Sequence, residues 1–168
     1  MNHLWSPWRM TYIENSKQEG CVFCNALLVP DGLDNLVVFR GQRAFVLLNR
    51  YPYTSGHLMV VPNDHQASLG ELDADIRADV MELANRAVQV LNVEYHPQGF
   101  NLGMNIGEVA GAGIAEHIHL HIVPRWGGDT NFMSTLASTR VLPEALEDSY
   151  MRIRKRWESL PKTPSKGG

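Results

Sequence analysis

The sequence has few cysteines, little net charge and no long hydrophobic segment. Its 168 residues include two cysteines, and the formal net charge is −3. A chain without a basic excess is unsuited to non-specific nucleic-acid binding, which depends on a positive field. No apolar run approaches the ~20 residues that span a bilayer, and residues 1–16 lack the continuous apolar core of a secretory signal. We therefore expect a cytoplasmic protein that binds neither nucleic acid nor membrane.

The length is that of one domain, and it is sufficient to bury a core without covalent cross-links. We expect residues 1–160 to form this single domain. Within it, residues 1–16 are irregular and aromatic and are interpreted as an N-terminal arm, and residues 21–126 are interpreted as the core. The polar segment 161–168 is predicted to be a disordered tail.

Apolar residues recur at two periods, which predict strands and helices. Alternating or continuous apolar segments bounded by turn residues predict strands over 36–40, 43–49, 57–62, 99–106 and 116–124. Apolar steps of three and four predict a long helix over 72–93, ended by Pro97 and Gly99, and a C-terminal helix that includes Leu146, Tyr150, Ile153, Trp157 and Leu160. The sequence thus predicts an α+β fold, an antiparallel five-stranded sheet covered by a long central helix and a C-terminal helix.

The last predicted strand carries three histidines in strict alternation with apolar residues. Because strand side chains alternate between faces, His117, His119 and His121 share one face, which we expect to line a polar cleft. A neutral imidazole is a good nucleophile near pH 7 and can form a covalent intermediate that later breaks down. Surface histidines on a half-exposed strand and a catalytic metal site are the alternatives. The alternation and the glycine-rich segment before it favour nucleotide chemistry over both.

The two cysteines form a Cys-x-x-Cys pair at Cys21 and Cys24. In a reducing compartment this spacing indicates metal binding or redox chemistry before a structural disulfide. Two buried thiols and a redox couple are the alternatives to a metal site. A structural zinc needs two further ligands, since it is usually four-coordinate.

Two sequence blocks resemble a known family. Residues 117–123, HIHLHIV, resemble the defining motif of the histidine-triad superfamily, and residues 44–65, AFVLLNRYPYTSGHLMVVPNDH, resemble its ribose-side strand, loop and following strand. The flanking segments LWSPWRMTYI and VPRWGGDTNF are most similar to those of diadenosine tetraphosphate phosphorylases of that superfamily. The resemblance covers roughly residues 21–126 and implies the histidine-triad fold.

The resemblance also implies roles for individual residues. His119, the middle histidine, would be the nucleophile, and His121 would contact the phosphate under attack. His57 would lie near the triad and position the leaving group or the imidazole. A homodimer or a larger homo-oligomer is also implied, because the family is usually dimeric.

The nucleotide would be held by residues outside the triad. Asn49 matches a position that hydrogen-bonds ribose hydroxyls, and Asn105 matches a polar residue that faces the phosphates. The loop Ala112, Gly113, Ile114 and Ala115 would offer backbone N–H groups to phosphate oxygens, as glycine-rich turns do for anions. Many hydrolases of the family carry glutamine or serine where this chain has Gly113, so one side-chain hydrogen bond to the phosphate is missing here.

Relatives that contain a Cys-x-x-Cys pair complete a zinc site with two histidines. By this resemblance the ligands would be Cys21, Cys24, His65 and His117. The zinc would be structural, and it would brace the strand that carries His119. No organic cofactor is implied.

The expected activity is a two-step nucleotidyl transfer on dinucleoside polyphosphates. With inorganic phosphate as acceptor, an adenylyl-histidine intermediate would convert diadenosine tetraphosphate into ADP and ATP. Water could be the acceptor instead, on dinucleoside polyphosphates or on nucleoside phosphoramidates, and the triad alone does not separate these reactions. A non-catalytic nucleotide-binding module is the alternative of a different class.

Overall fold

The computed structural model describes residues 20–129 and 144–161. Its helices are α1 (Val22–Leu27), α2 (Ala74–Tyr95) and α3 (Leu146–Ser159), and its strands are β1 (Val37–Arg40), β2 (Ala44–Leu48), β3 (Leu58–Pro62), β4 (Gly99–Gly103) and β5 (Leu120–Arg125). Short 3₁₀ turns cover Leu69–Glu71 and Glu108–Ala110. The predicted arm, residues 1–16, and residues 162–168 of the predicted tail lie outside the described ranges. Within those ranges, no helix combines the length and the hydrophobicity required to cross a membrane.

The five strands form one antiparallel sheet in the order β1-β2-β3-β5-β4. Helix α2 connects β3 to β4, and these two strands are not neighbours in the sheet. Strand β5 lies between them and pairs with both. His121 therefore lies in the interior of the sheet, opposite Met59 on β3 and Gly103 on β4. The predicted α+β fold with a five-stranded antiparallel sheet is confirmed.

The two faces of the sheet have separate cores. Helices α2 and α3 cover one face, where the buried stripe of α2 includes Val80, Ala84, Ala87 and Leu91. Each large aliphatic side chain buried there contributes about 1.5–3 kcal/mol to folding. On the opposite face, α1 packs Phe23 and Ala26 against side chains of β1, β2 and β3. The histidine side of β5 faces α1, so α1 and the sheet enclose the candidate site.

Strand β5 is shorter at its start than the sequence predicts. Pairing with β3 ends at the Val60–Leu120 pair, and the preceding residues bond elsewhere. The N–H of Ile118 donates to the carbonyl of Gln66, and the His117 ring lies 3.0 Å from the carbonyl oxygen of Pro62. Residues 117–119 thus keep the alternation of a strand without belonging to the ladder.

Candidate active site and metal cluster

The alternation predicted for the histidine segment is present in the structure. Ile118 packs against Leu72 and Ile76, while Leu120 and Ile122 pack in the core beneath α2 and α3. The three histidines lie together on the other side, but only His121 is partly exposed, so His117 and His119 do not open into the polar cleft that we expected. His117 is fully buried and His119 is 5% exposed, because Phe23 of α1 packs against both rings.

His119 is held in one tautomer by the backbone. Its Nδ1 lies 2.8 Å from the carbonyl oxygen of His117, so the proton is on Nδ1 and donates to that oxygen. Nε2 therefore carries a lone pair, and it has no hydrogen-bond partner among the residues described. Burial lowers the pKa of His119 below its usual 6.5, which keeps the ring neutral near pH 7. The ring has the protonation state of a nucleophile.

His57 and His121 form a hydrogen-bonded pair whose proton positions can be assigned. The N–H of Tyr53 donates to His57 Nδ1 at 3.1 Å, so the proton of His57 is on Nε2. His57 Nε2 then donates to His121 Nδ1 at 3.0 Å. Burial, with a smaller contribution from His119, lowers the pKa of His121 to about 4. Neutral His121 must therefore carry its proton on Nε2, where it can donate to a substrate oxygen.

Two aromatic residues at this site were missed in the sequence analysis. The Tyr53 ring lies 4.6 Å from the His57 ring and 6.1 Å from the His121 ring, nearly parallel to the latter. The Phe23 ring lies 4.9 Å from the His119 ring. The sequence indicates a role for these two aromatic residues only through their positions. Tyr53 precedes His57 by four residues, and Phe23 lies between the two cysteines.

Asn49 lies beside His57. Its Oδ1 accepts a hydrogen bond from the N–H of Tyr51, and its Nδ2 lies 3.4 Å from His57 Nδ1. The amide thus helps to keep His57 Nδ1 as an acceptor. This contact is in addition to the ribose role implied by the resemblance, which remains a prediction.

The glycine-rich loop is tied back on itself. Asn105 donates to the carbonyl of Gly111, and the N–H of Ala112 points at the carbonyl of Gly107 at 3.4 Å. Ile114 packs against the core cluster that contains Phe23. The loop therefore borders the site, but the N–H of Ala112 is already engaged in a long hydrogen bond.

Four potential metal ligands come together where α1 meets the start of the histidine segment. Cys21, Cys24, His65 and His117 each offer one atom, and these atoms lie within 4.8 Å of one another. Cys21 Sγ is 3.3 Å from His117 Nδ1, and Cys24 Sγ is 3.3 Å from His65 Nδ1 and 3.7 Å from His117 Nδ1. These four residues form a candidate metal-binding cluster.

The donor set and its geometry fit zinc. Zn–S and Zn–N bonds of usual length at tetrahedral angles give sulfur-to-nitrogen separations of about 3.6 Å, close to those observed. His117 Nε2 donates to the Pro62 carbonyl, which leaves Nδ1 unprotonated for a metal. Burial and the neighbouring Cys21 raise the pKa of the Cys24 thiol, and a cation between the two sulfurs would reverse this by favouring the thiolates.

Comparison with known proteins identifies the family. Residues 32–128 match the family model described as the HIT domain, and the chain belongs to the histidine-triad (HIT) family. This confirms the resemblance inferred from the two sequence blocks. The match includes His57, which directly precedes β3, and His121 on β5, and α1 with its cysteines lies before it.

Several relatives match most of the chain. A Mycobacterium tuberculosis protein described as AP-4-A phosphorylase is 36% identical over 96% of this chain and 87% of its own length. The crystal structure of a zinc-bound histidine triad family protein from Mycobacterium smegmatis has a TM-score of 0.66 and 27% identity, over 83% of this chain and 94% of that one. A hypothetical histidine triad nucleotide-binding protein from Sulfolobus tokodaii has a TM-score of 0.65 and 27% identity, over 82% of this chain and 92% of that one. The chain is a nucleotide-processing HIT protein.

Proposed function

We propose that this protein is a nucleotidyltransferase that cleaves dinucleoside polyphosphates through a covalent intermediate on His119. The observation that carries the proposal is the state of the His119 ring, whose proton is fixed on Nδ1 by the His117 carbonyl. A non-catalytic nucleotide-binding module has no need of a neutral imidazole with an unprotonated Nε2. This geometry favours the enzyme over the binding module.

The reaction proceeds in two displacements. Nε2 of His119 attacks the α-phosphorus of diadenosine tetraphosphate, the P–O bond to the β-phosphate breaks, and ATP leaves. An oxygen of inorganic phosphate then attacks the same phosphorus, the P–N bond breaks, and ADP leaves. The Nε2–H of His121 donates to an oxygen of the phosphorus centre and stabilises its developing charge. His57 keeps this donor in position through the His121 Nδ1 contact.

Phosphate as the acceptor is supported by the relative described as AP-4-A phosphorylase, which aligns with 96% of this chain. The substrates are then an adenosine polyphosphate and inorganic phosphate. Water in place of phosphate would give AMP and ATP by the same first step. We propose phosphorolysis because the similarity to that relative extends well beyond the triad.

Residues around the triad hold the nucleotide. Asn49 is proposed to bind the ribose hydroxyls, which its location beside His57 supports. Asn105 and the backbone of Gly113, Ile114 and Ala115 are proposed to bind phosphate oxygens. Ala112 can join them only if its long hydrogen bond to Gly107 is released.

A structural zinc is proposed for the four-residue cluster, with Cys21, Cys24, His65 and His117 as ligands. Bound zinc would neutralise the thiolates and cross-link α1 to the histidine segment. It takes no part in the displacements, because a closed four-ligand site has no position for substrate. We further propose a cytoplasmic location and a homodimer or larger homo-oligomer.

The products of diadenosine tetraphosphate cleavage test the proposed function. The purified protein is incubated with the dinucleotide and ¹⁸O-labelled phosphate, and the products are separated and weighed by mass spectrometry. We expect ATP and an ADP whose β-phosphate carries the label. AMP in the presence of abundant phosphate would show a hydrolase, and binding without turnover under either condition would show a non-catalytic module.

A variant pair tests the nucleophile. His119→Asn should lower turnover by several orders of magnitude while dinucleotide binding survives, because only the bond-forming atom is lost. The matched control is His96→Asn, at an exposed left-handed position after α2 that asparagine tolerates. Retained turnover in His119→Asn would assign the nucleophile to another residue.

A further inference from the structure

One side chain of α1 joins the metal cluster to the nucleophile. Phe23 lies between Cys21 and Cys24, is 2% exposed, and contacts the rings of both His117 and His119. We propose that Phe23 is a positioning residue, through which the metal-binding knuckle, residues 21–24, fixes the orientation of the His119 ring. The inference rests on the proposed role of His119 as nucleophile.

The knuckle has little stability of its own. Helix α1 has six residues, and its N-cap residue Cys21 makes no side-chain capping hydrogen bond. A helix this short is not stable in isolation, so its position depends on contacts at each end. The two cysteines flank Phe23 and are its nearest anchors. A metal that holds both sulfurs therefore fixes the Phe23 backbone from both sides.

The His119 ring needs more than its backbone hydrogen bond to stay in place. The bond from Nδ1–H to the His117 carbonyl fixes one atom of the ring, and rotation about the side-chain torsions can break it. Phe23 and His121, with ring centroids 4.9 Å and 4.8 Å from that of His119, restrict this rotation by packing. Two of these three restraints depend on the cluster, because His117 supplies the carbonyl and the knuckle supplies Phe23, whereas His121 is held by the sheet.

A matched pair of substitutions isolates the contact. Phe23→Leu removes the ring from His119 and keeps an apolar side chain. Phe39→Leu is the same chemical change on β1, where the Phe39 ring packs 5.3 Å from Trp157 beneath α3, on the other face of the sheet. Zinc content and thermal unfolding are measured for both, and Phe23→Met is taken through the same measurements if the leucine variant does not fold.

The first readout is the tautomer of His119, from long-range ¹H–¹⁵N correlation spectra of the imidazole. Zinc-loaded wild type and Phe39→Leu should have His119 with its proton on Nδ1 alone. Phe23→Leu with zinc, and wild type stripped by a chelator, should both have a mixture of the two tautomers. Zinc added back should restore the single tautomer in the wild type and not in Phe23→Leu. A single tautomer in either Phe23→Leu or the stripped wild type would overturn the proposal.

The second readout is the division of the kinetic effect between kcat and KM. Misplacement of a reacting atom lowers the rate of the chemical step, so Phe23→Leu should lower kcat roughly ten- to a hundredfold and change KM less than about twofold. A raised KM with unchanged kcat would overturn the proposal, because Phe23 would then act only by touching substrate. If the wild type cleaves no dinucleotide, the proposed function fails, and the tautomer measurement still decides the role of Phe23.

Discussion

At the scale of single residues, two backbone groups set the protonation pattern of the candidate site. The His117 carbonyl fixes the proton of His119 on Nδ1, and the Tyr53 N–H fixes the proton of His57 on Nε2. Because His57 Nε2–H donates to His121 Nδ1, the proton of neutral His121 must be on Nε2. Among the described residues, the candidate site thus holds one unprotonated Nε2 and one protonated Nε2 on adjacent rings, a pairing that suits the proposed attack on phosphorus.

The neutral state of the half-buried His121 predicts how stability depends on pH. Burial lowers the pKa of His121 from 6.5 to about 4. Between these values the unfolded chain binds a proton that the folded protein does not, so this residue lowers the free energy of unfolding as pH falls. The loss reaches about 3 kcal/mol at pH 4 and is absent above pH 7.

Replacing His121 tests this prediction. Urea unfolding of the wild type and of His121→Gln is compared at pH 7, 5 and 4, with His96→Gln as the exposed control. As pH falls from 7 to 4, the free energy of unfolding of the wild type should decrease by up to about 3 kcal/mol more than that of His121→Gln. Equal pH dependence in the two proteins would assign the acid sensitivity to other groups.

At the scale of elements, the sequence predicted regular structure well and the site less well. The apolar stripe of α2 and the approximate ranges of the strands followed from local periodicity, because the spacing of apolar residues within a helix or strand defines its buried face. The order of the strands in the sheet was not predicted, because it depends on contacts between distant segments. The packing of Phe23 on His119 could not be predicted in this way, because these residues are as far apart in sequence as Cys21 and His117, which are separated by 96 positions. His65 and His57 were found only through resemblance, as lone histidines carry no local pattern.

Helices α2 and α3 are joined by an ion-pair network that the charge pattern of α3 did not predict. Arg152 and Arg156 both bond to Glu94, whose side chain is 14% exposed. Burial alone would raise the pKa of Glu94, but hydrogen bonds from Arg156 and Arg152 outweigh it and hold that pKa below 4.5. Each of these bonds is charge-assisted, and Arg152 also reaches Glu144.

Neutralising Glu94 should loosen α3. Glu94→Gln keeps the shape of the side chain and removes its charge, so we expect the free energy of unfolding to fall by roughly 1–2 kcal/mol at pH 7. The control is Glu82→Gln at an exposed position of α2, the helix that also carries Glu94. This substitution should change the free energy of unfolding by less than about 0.5 kcal/mol. A similar effect of both substitutions in chemical denaturation would mean that the network adds nothing specific.

At the scale of the whole molecule, the sheet explains how a short segment can serve two sites. Strand β5 is paired on both sides, so the residues around His121 are rigid. The chain before Leu120 leaves the ladder, and this frees His117 to turn toward the cysteines while His119 stays beside His121. The proposed metal ligand His117 and the proposed nucleophile His119 thus occupy neighbouring alternate positions of one segment.

The edge of the sheet supports the proposed homo-oligomer. No other described strand pairs with the outer side of β4, and Leu102 and Ile106 at this edge are 45% and 48% exposed. An exposed strand with apolar side chains readily pairs with a second copy. This edge lies next to β5, so a partner there would stand close to His121, which is opposite Gly103 of β4.

A charge on this edge should therefore dissociate the oligomer. We expect Leu102→Glu to shift the protein toward monomer in light scattering coupled to gel filtration, because the added carboxylate would be buried without a partner. Met151→Glu introduces the same charge at a more exposed apolar position on α3 and should leave the mass unchanged. If Leu102→Glu keeps the wild-type mass, or if the wild type is itself monomeric, β4 is not an interface. Dinucleotide cleavage by a monomeric Leu102→Glu variant would further show that one copy of the chain contains the complete site.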